Sequence, residues 1–181
     1  MLLGEKIYLD TLDPANAGTA RRWINDPKVN TWMLSGHIPV SEIAEQEFYA
    51  GVERRAAAHS AFLFEIHVAD DGRYIGNCGL EGIDLVHRHA EVGIVIGELD
   101  AQNSGYGRDA IRTLLRFGFE TLGLHNIEIR HMAPNERGAH LYRSIGFKEC
   151  GVLRQHCYLR GQWVDEVVLD MLADEWAAIR S

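Results

Sequence analysis

Apolar and polar residues alternate at period two along much of the chain, in segments cut by glycine, proline and short polar turns. Residues 5–10 (EKIYLD) alternate and predict a first strand. Asp13-Pro14 offers a helix start, with Asp13 as N-cap and Pro14 in the first turn. The helix should run to about Asn25, with Ala17, Ala20, Trp23 and Ile24 on its inner side. Asn25-Asp26-Pro27 stops it, because proline disfavours helix at the residue before it. Ser41 caps a second helix, residues 42 to about 55. Three antiparallel strands follow at 62–69 (FLFEIHVA), 73–80 (RYIGNCGL) and 91–96 (EVGIVI). Asp70-Asp71-Gly72 is a hairpin turn signal, and a polar turn around His87-Arg88-His89 makes the second connection. The two glycines of the middle strand predict a bulge or a close backbone approach.

The pattern then changes period. Gln102-Asn103-Ser104-Gly105-Tyr106-Gly107-Arg108 leads into an amphipathic run with Ala110, Ile111, Leu114, Leu115, Phe117 and Gly118 on one side. This helix should reach about Leu122, where Gly123 ends it. A strand at 127–132 (IEIRHM) follows, and a strand, helix and strand in succession make a crossover with a parallel pair. Asn135 can cap a further helix carrying Ala139, Leu141, Tyr142 and Ile145, and Gly146 ends it. Strands at 147–154 and 163–171, joined through Arg160-Gly161, and a last helix at 174–179 complete the reading.

Chemistry enters at the glycine turn. Two glycines before a helix let backbone N–H groups converge on an anion, and the helix points its positive end at the same spot. The turn lacks the Gly-Lys-Ser/Thr ending of a P-loop. A dinucleotide fingerprint is disfavoured, because several residues separate strand from turn and the preceding chain is antiparallel. Composition narrows the rest. The 181 residues suit a single domain, 1–181, and 46% of them are apolar, enough for a sizeable core. No apolar run reaches the ~18 residues of a membrane span, and the first ten residues lack a signal-peptide apolar region. The three cysteines, Cys78, Cys150 and Cys157, have no paired spacing, which argues for a reducing, cytoplasmic setting and no metal. A net charge of −8 disfavours nucleic acid and suits a cationic substrate.

Gln102, Gly105 and Gly107 form Gln-x-x-Gly-x-Gly, which resembles the acetyl-CoA pyrophosphate loop of the GNAT N-acetyltransferases. Trp23-Ile24-Asn25-Asp26-Pro27 resembles the W-x-N-D-P segment of the branch that includes ribosomal-protein and spermidine acetyltransferases. The segment from Asn135 through Tyr142 to Gly146-Phe147 is similar to that family's N-x-x-S/A-x-x-x-Y-x-x-x-G-F, with Gly138 at the small-residue position. Asp10 departs from the arginine common in relatives. The resemblance implies the GNAT fold, an α+β arrangement with a mostly antiparallel central sheet, one parallel splayed strand pair and flanking helices. It implies acetyl-CoA as cosubstrate, bound along the backbone of Ile94, Val95 and Ile96 and by the loop Gln102, Asn103, Ser104, Gly105, Tyr106, Gly107 and Arg108. Asn135 would hydrogen-bond the pantetheine arm, and Tyr142 would give a proton to the leaving sulfur. Glu91 is the first candidate base, with Glu81, His87, His89 and His131 as others. The acceptor would be a small amine such as a polyamine or amine antibiotic, or a protein N-terminal amine, walled by residues 33–55 and 80–89. A homodimer through the tail strands around Tyr158 and Trp163 is a further expectation. The alternative from a different class is a module that binds acyl-CoA as a sensor without turnover.

Overall fold

The alternating segments assemble into a single mixed sheet in the computed structural model, which describes residues 1–35 and 38–180. Its strands are β1 (Leu2–Leu3), β2 (Ile7–Thr11), β3 (Ala61–Val68), β4 (Tyr74–Asp84), β5 (His89–Ile96), β6 (Asn126–Met132), β7 (Lys148–Leu159) and β8 (Gln162–Leu172). Their order is β1-β2-β3-β4-β5-β6-β8-β7. All neighbours are antiparallel except β5 and β6, which are parallel, as a crossover unit requires. This is the α+β mixed sheet that the sequence predicts.

Most boundaries fall within a few residues of the expected ones, and the departures have physical causes. The first helix is split. Asp13 accepts a hydrogen bond from the Ala15 N–H at 2.9 Å and starts a 3-10 turn, Pro14–Asn16, before α1 (Ala17–Ile24). Asp26 then caps a short α2 (Pro27–Asn30) by accepting from the Lys28 N–H. Thus Asn25-Asp26-Pro27 ends one helix and begins another. Ser41 caps α3 (Glu42–Ala57) as expected, accepting from the Ala44 N–H at 3.1 Å. The helix after the glycine turn, α4 (Tyr106–Arg116), passes into a π turn, Phe117–Thr121. A Cβ on Gly118 in that turn would lie 2.6 Å from Ile127 Cδ1, so glycine lets the turn sit on the sheet. α5 (Glu136–Ile145) and α6 (Ala173–Ile179) complete the helices.

One face of the sheet carries the main core. Leu9, Ile66, Ile75, Leu80, Val92, Ile127, Ile129, Leu169 and Met171 pack against Ile111, Leu114, Leu115, Ile145 and Trp176 of α4, α5 and α6. A smaller cluster on α1, α2 and α3 (Ala17, Ala20, Trp23, Val29 and Tyr49) packs against Tyr74 and Val95. Paired residues of neighbouring strands share a face. The register sets Glu81 opposite Glu91, Glu91 opposite Glu128, and Glu128 opposite Asp170. These carboxylates belong to the face that α1–α3 cover only in part. Among the described residues, no helix is long and apolar enough to cross a membrane.

Trp23 couples the small cluster to the end of β5. Its indole N–H donates to Glu98 Oε1 at 3.0 Å, and a Cβ on Gly97 would lie 1.9 Å from the indole ring. The tryptophan of the W-x-N-D-P segment therefore sits where only glycine fits beneath it. Asn25 adds a two-way clasp, donating from Nδ2 to the Val40 carbonyl and accepting the Val40 N–H, both at 2.9 Å. Gly97→Ala should overpack this contact and destabilise the protein by about 1–3 kcal/mol. Denaturant unfolding measures it, and an unchanged midpoint would mean that Trp23 does not rest on Gly97.

Candidate active site

The parallel pair forks. β5 and β6 pair only at His89, Ala90 and Glu91, opposite Asn126, Ile127 and Glu128. Beyond that point residues 92–96 keep their partners on β4 alone. The backbone groups of Val92, Gly93, Ile94, Val95 and Ile96 on the other side are left without a strand partner and line a cavity of about 550 Å³. Such groups need a ligand or water to complete their hydrogen bonding.

At one end of the cavity stands the glycine turn. Asn103 and Gly105 hold positive φ, +62° and +88°, which glycine adopts freely and asparagine tolerates. A Cβ on Gly107 would meet Ile96 Cγ1 and Leu141 Cδ2 at 3.8 Å and Ile94 Cδ1 at 3.9 Å. Ile94 and Ile96 thus rest against the start of α4. Gln102 spans the mouth of the fork: its Nε2 donates to the Ile96 carbonyl at 3.0 Å and its Oε1 accepts from Arg137 at 2.9 Å. Arg108 donates to the carbonyl and hydroxyl of Ser144 at 3.0 and 2.6 Å, tying α4 to α5. With Lys6, which donates to the Ser104 carbonyl, the turn carries three cations near the positive end of α4. That donor set fits a phosphate-bearing ligand.

The wall across the fork is α5. Asn135 Oδ1 caps it by accepting the Gly138 N–H at 3.0 Å, while Nδ2 makes no hydrogen bond among the described residues. Tyr142 is buried, lines the cavity, and its hydroxyl likewise has no protein partner among the described residues. Burial raises the phenol above its ordinary pKa, with Arg137 pulling the other way, so the hydroxyl holds its proton.

Toward the sheet's other face the lining becomes acidic. Glu81 and Glu91 line the cavity with Arg130, Trp32, Met33, Leu34 and Ser35. Burial raises the carboxyl of Glu91; Arg130 opposes the rise, and Glu128, Glu166 and Glu81 add to it. Glu91 Oε2 stands 3.4 Å from Arg130 Nε without hydrogen-bond geometry. The same guanidinium makes a directed bond to Glu128 at 3.1 Å.

Of the residues singled out from sequence, Glu91, Ile94, Val95, Ile96, Gln102, Asn103, Gly105, Gly107, Arg108, Asn135 and Tyr142 meet around this one cavity. Ser104 and Tyr106 do not line it; the Tyr106 ring packs against the main core. Of the other candidate bases, Glu81 lines the cavity, and His87, His89 and His131 do not. His131 is buried beside the Tyr142 ring, centroids 6.0 Å apart. From the expected acceptor walls the cavity takes Met33, Leu34, Ser35 and Glu81; Gly36 and His37 lie outside the described residues. Arg130 and Arg137 were missed. Arg137 sits two residues after Asn135, inside the motif, and could have been found there; nothing local marks Arg130. Among the described residues, no group of three or more His, Cys, Asp or Glu could hold a metal ion.

A strand pair forked over a glycine turn and a capped tyrosine helix defines the acyl-CoA N-acyltransferase class. The chain belongs to the GNAT acetyltransferases: the family's acetyltransferase (GNAT) domain matches residues 6–148. It is 26% identical to the spermidine N(1)-acetyltransferase of Escherichia coli K12, over 94% of this chain and 82% of that one. It is 27% identical to the [ribosomal protein uS5]-alanine N-acetyltransferase of the same organism, over 65% of this chain and 60% of that one. A spermidine N-acetyltransferase from Vibrio cholerae, solved in complex with CoA and spermine, shares the fold with a TM-score of 0.86 at 23% identity. That likeness covers 95% of this chain and 98% of the other.

Gly138 stands where serine or alanine was the expected residue. A Cβ there would lie 2.7 Å from Asn135 Nδ2 and 3.1 Å from its Cγ, so the glycine makes room for the capping amide. Alanine for glycine in a helix ordinarily gains about 1 kcal/mol. Loss of an N-cap costs typically ~1 kcal/mol. Gly138→Ala should therefore give no net gain in unfolding free energy. A gain near the full helix-propensity value would mean that the Asn135 side chain tolerates the methyl group.

Proposed function

We propose that this chain, acting as a single catalytic domain, transfers the acetyl group of acetyl-CoA to a primary amine by direct attack in a ternary complex. The observation that carries the reading is the fork: unpaired backbone donors of β5 face a cavity that reaches both the glycine turn and Tyr142. Bound acetyl-CoA would supply a thioester whose carbonyl carbon accepts the amine nitrogen. The residues present fit such a ligand. The N–H groups of Gly105, Gly107 and the first turn of α4, with Arg108 and Arg137, suit its phosphates. The free strand edge of residues 92–96 suits an extended amide-bearing arm, in the manner of an added strand. The unspent Nδ2 of Asn135 offers it another donor.

The protein's groups then divide the work. A β5 backbone N–H stabilises the negative charge that develops on the carbonyl oxygen as the carbon–nitrogen bond forms. Tyr142 gives its proton to the sulfur as the carbon–sulfur bond breaks. Glu91 takes the proton released by the amine nitrogen, directly or through one water. The acidic lining draws a cationic amine toward the slot, where it must lose a proton before attack. A small amine and a protein N-terminal amine both meet these needs. The homodimer belongs to the same proposal, supported by the exposed Tyr158 and Trp163 on the β7–β8 hairpin.

Acetyl-CoA consumption, followed by free thiol against a panel of amines, tests the reading; no transfer to any amine would leave an acyl-CoA sensor. Tyr142→Phe keeps the ring and its packing on His131 and Phe147, so acetyl-CoA binding should change little. Its kcat should fall roughly 10²- to 10⁴-fold, the range for losing a general acid. An unchanged kcat, with chemistry limiting, would reduce Tyr142 to a packing role.

The raised carboxyl of Glu91 sets the sign of the acid limb. The base form is the ionised one, so kcat/KM should fall on acidification at a pH above the ordinary carboxylate range. Glu91→Gln should lower the rate and remove that limb. A pH–rate profile identical to the parent's would assign the base elsewhere.

A further inference from the structure

Beside the main cavity lies a second, of about 470 Å³, lined by Leu34, Glu91, Arg130, Met132, His156, Cys157, Tyr158 and Glu166. Leu34, Glu91 and Arg130 belong to both, so the two spaces adjoin at the candidate base. The side cavity holds an anomaly. Glu166 on β8 is only 4% exposed, and its Oε2 is buried with no hydrogen bond. The nearest basic atom is Nε2 of the exposed His156, 3.5 Å away. Arg130, across the cavity, is already engaged by Glu91 and Glu128. A buried carboxylate oxygen without a donor is costly, and folds rarely keep one unless something binds it.

Strand β7 adds an independent sign. Its pairing with β8 runs to Leu153 opposite Glu166 and resumes at Cys157 opposite Val164. Two extra residues are thus looped out of β7 beside Glu166, with Gln155 at φ +52° and its N–H held by Asp165 Oδ1 at 2.7 Å. Bulges of this kind occur next to functional sites, where they bend a strand and re-aim side chains. Here the bulge belongs to the stretch that brings His156, Cys157 and Tyr158 to the cavity wall. The walls are partly apolar (Leu34, Met132 and Tyr158) and the buried end is anionic. That combination fits an alkyl chain ending in an ammonium group.

We propose that Glu166 seats a second, non-reacting ammonium group of the acceptor, so that the substrate is an aliphatic diamine or polyamine with its attacking nitrogen at Glu91. The proposal rests on the acetyltransferase reading and deepens it. An alkyl chain along Leu34 and Met132 would link the two nitrogens. Glu166 touches the substrate away from the reacting atoms and sets specificity through the distance between charges. A monoamine of the same length leaves the carboxylate unpaired and forfeits the charge-assisted bond.

The test compares 1,4-diaminobutane and spermidine with butylamine and with a short peptide bearing a free N-terminal amine, on the intact chain and on Glu166→Gln. The parent should favour the diamines over butylamine by at least about tenfold in kcat/KM, as loss of one buried charged partner implies. Glu166→Gln should erase that ratio, mainly through KM, while acetyl-CoA binding and butylamine turnover, both compared at a pH well above the Glu91 acid limb, stay as in the parent. Calorimetric titration of 1,4-diaminobutane, without acetyl-CoA, should give binding to the parent and about tenfold weaker binding to the variant. Equal use of butylamine and diamine by the parent overturns the seat whether or not the variant folds, and so does a preference for the peptide. A variant that loses mono- and diamine activity alike overturns it too. Transfer to no amine at all overturns the acetyltransferase reading, a result distinct from any of these.

Discussion

The structure turns on hydrogen bonds that two neighbouring strands do not make. β5 and β6 pair for three residues and then part, leaving residues 92–96 bonded on one side only. Strands that part give up the bonds they would otherwise share, so a fork of this length must be held open by other contacts. Ile94 and Ile96 rest against the first turn of α4. Gln102 takes up the Ile96 carbonyl and, through Arg137, holds the α5 wall at the same time. Trp23 closes over Gly97 just beyond the fork. These contacts tie the glycine turn, the open edge of β5 and the α5 wall into one unit.

The fork also makes a passage through the sheet, and charge is sorted across it. Lys6, Arg108 and Arg137 gather about the glycine turn, on the side of α4 and α5. Glu81, Glu91, Glu128, Glu166 and Asp170 share the opposite face, with Arg130 among them. A polyanion entering from the acidic side would be repelled, and so would a polycation entering from the turn. On the proposed function, two substrates of opposite charge would each have one favourable door, and their reactive ends would meet between Tyr142 and Glu91. The chain's net charge of −8 hides this division, because it sums over both faces.

What could be read from the sequence was local. The glycine turn, the Asn135 cap and Gly146-Phe147 declare themselves because one residue type at one spacing carries the geometry. Gly105, Gly123 and Gly146 indeed hold positive φ where turn or cap chemistry requires it. The crossover rule made β5 and β6 parallel, and the apolar pattern found seven strands, β2 to β8, each starting within two residues of its expected place. The rest depended on contacts distant in sequence. Nothing near Gly118 announces the π turn, in which that glycine packs closely over Ile127. Ser104 and Tyr106 sit inside the loop motif yet turn from the cavity, since side-chain direction depends on how the turn docks. Glu166 lies in an ordinary alternating strand, WVDEVVLDM. Only the β7 bulge and the second cavity single it out.

Burial acts on both groups that would handle protons, and in the same direction. It disfavours the charged form of the Tyr142 phenol and of the Glu91 carboxyl, so both hold their protons to higher pH. For an acid that would have to stay protonated until the sulfur leaves, that shift is an advantage. For a base it is a compromise: a stronger proton acceptor, but one ionised only above a higher threshold. Arg130 limits the cost by pulling the Glu91 carboxyl back down. Its 3.4 Å approach lacks hydrogen-bond geometry, so the carboxylate keeps lone pairs free to take a proton. A well-directed Arg130–Glu91 bond would favour the ionised form further and leave a weaker base. The guanidinium gives its directed bond to Glu128 instead, which steadies the cation beside Glu91 without occupying the proposed base.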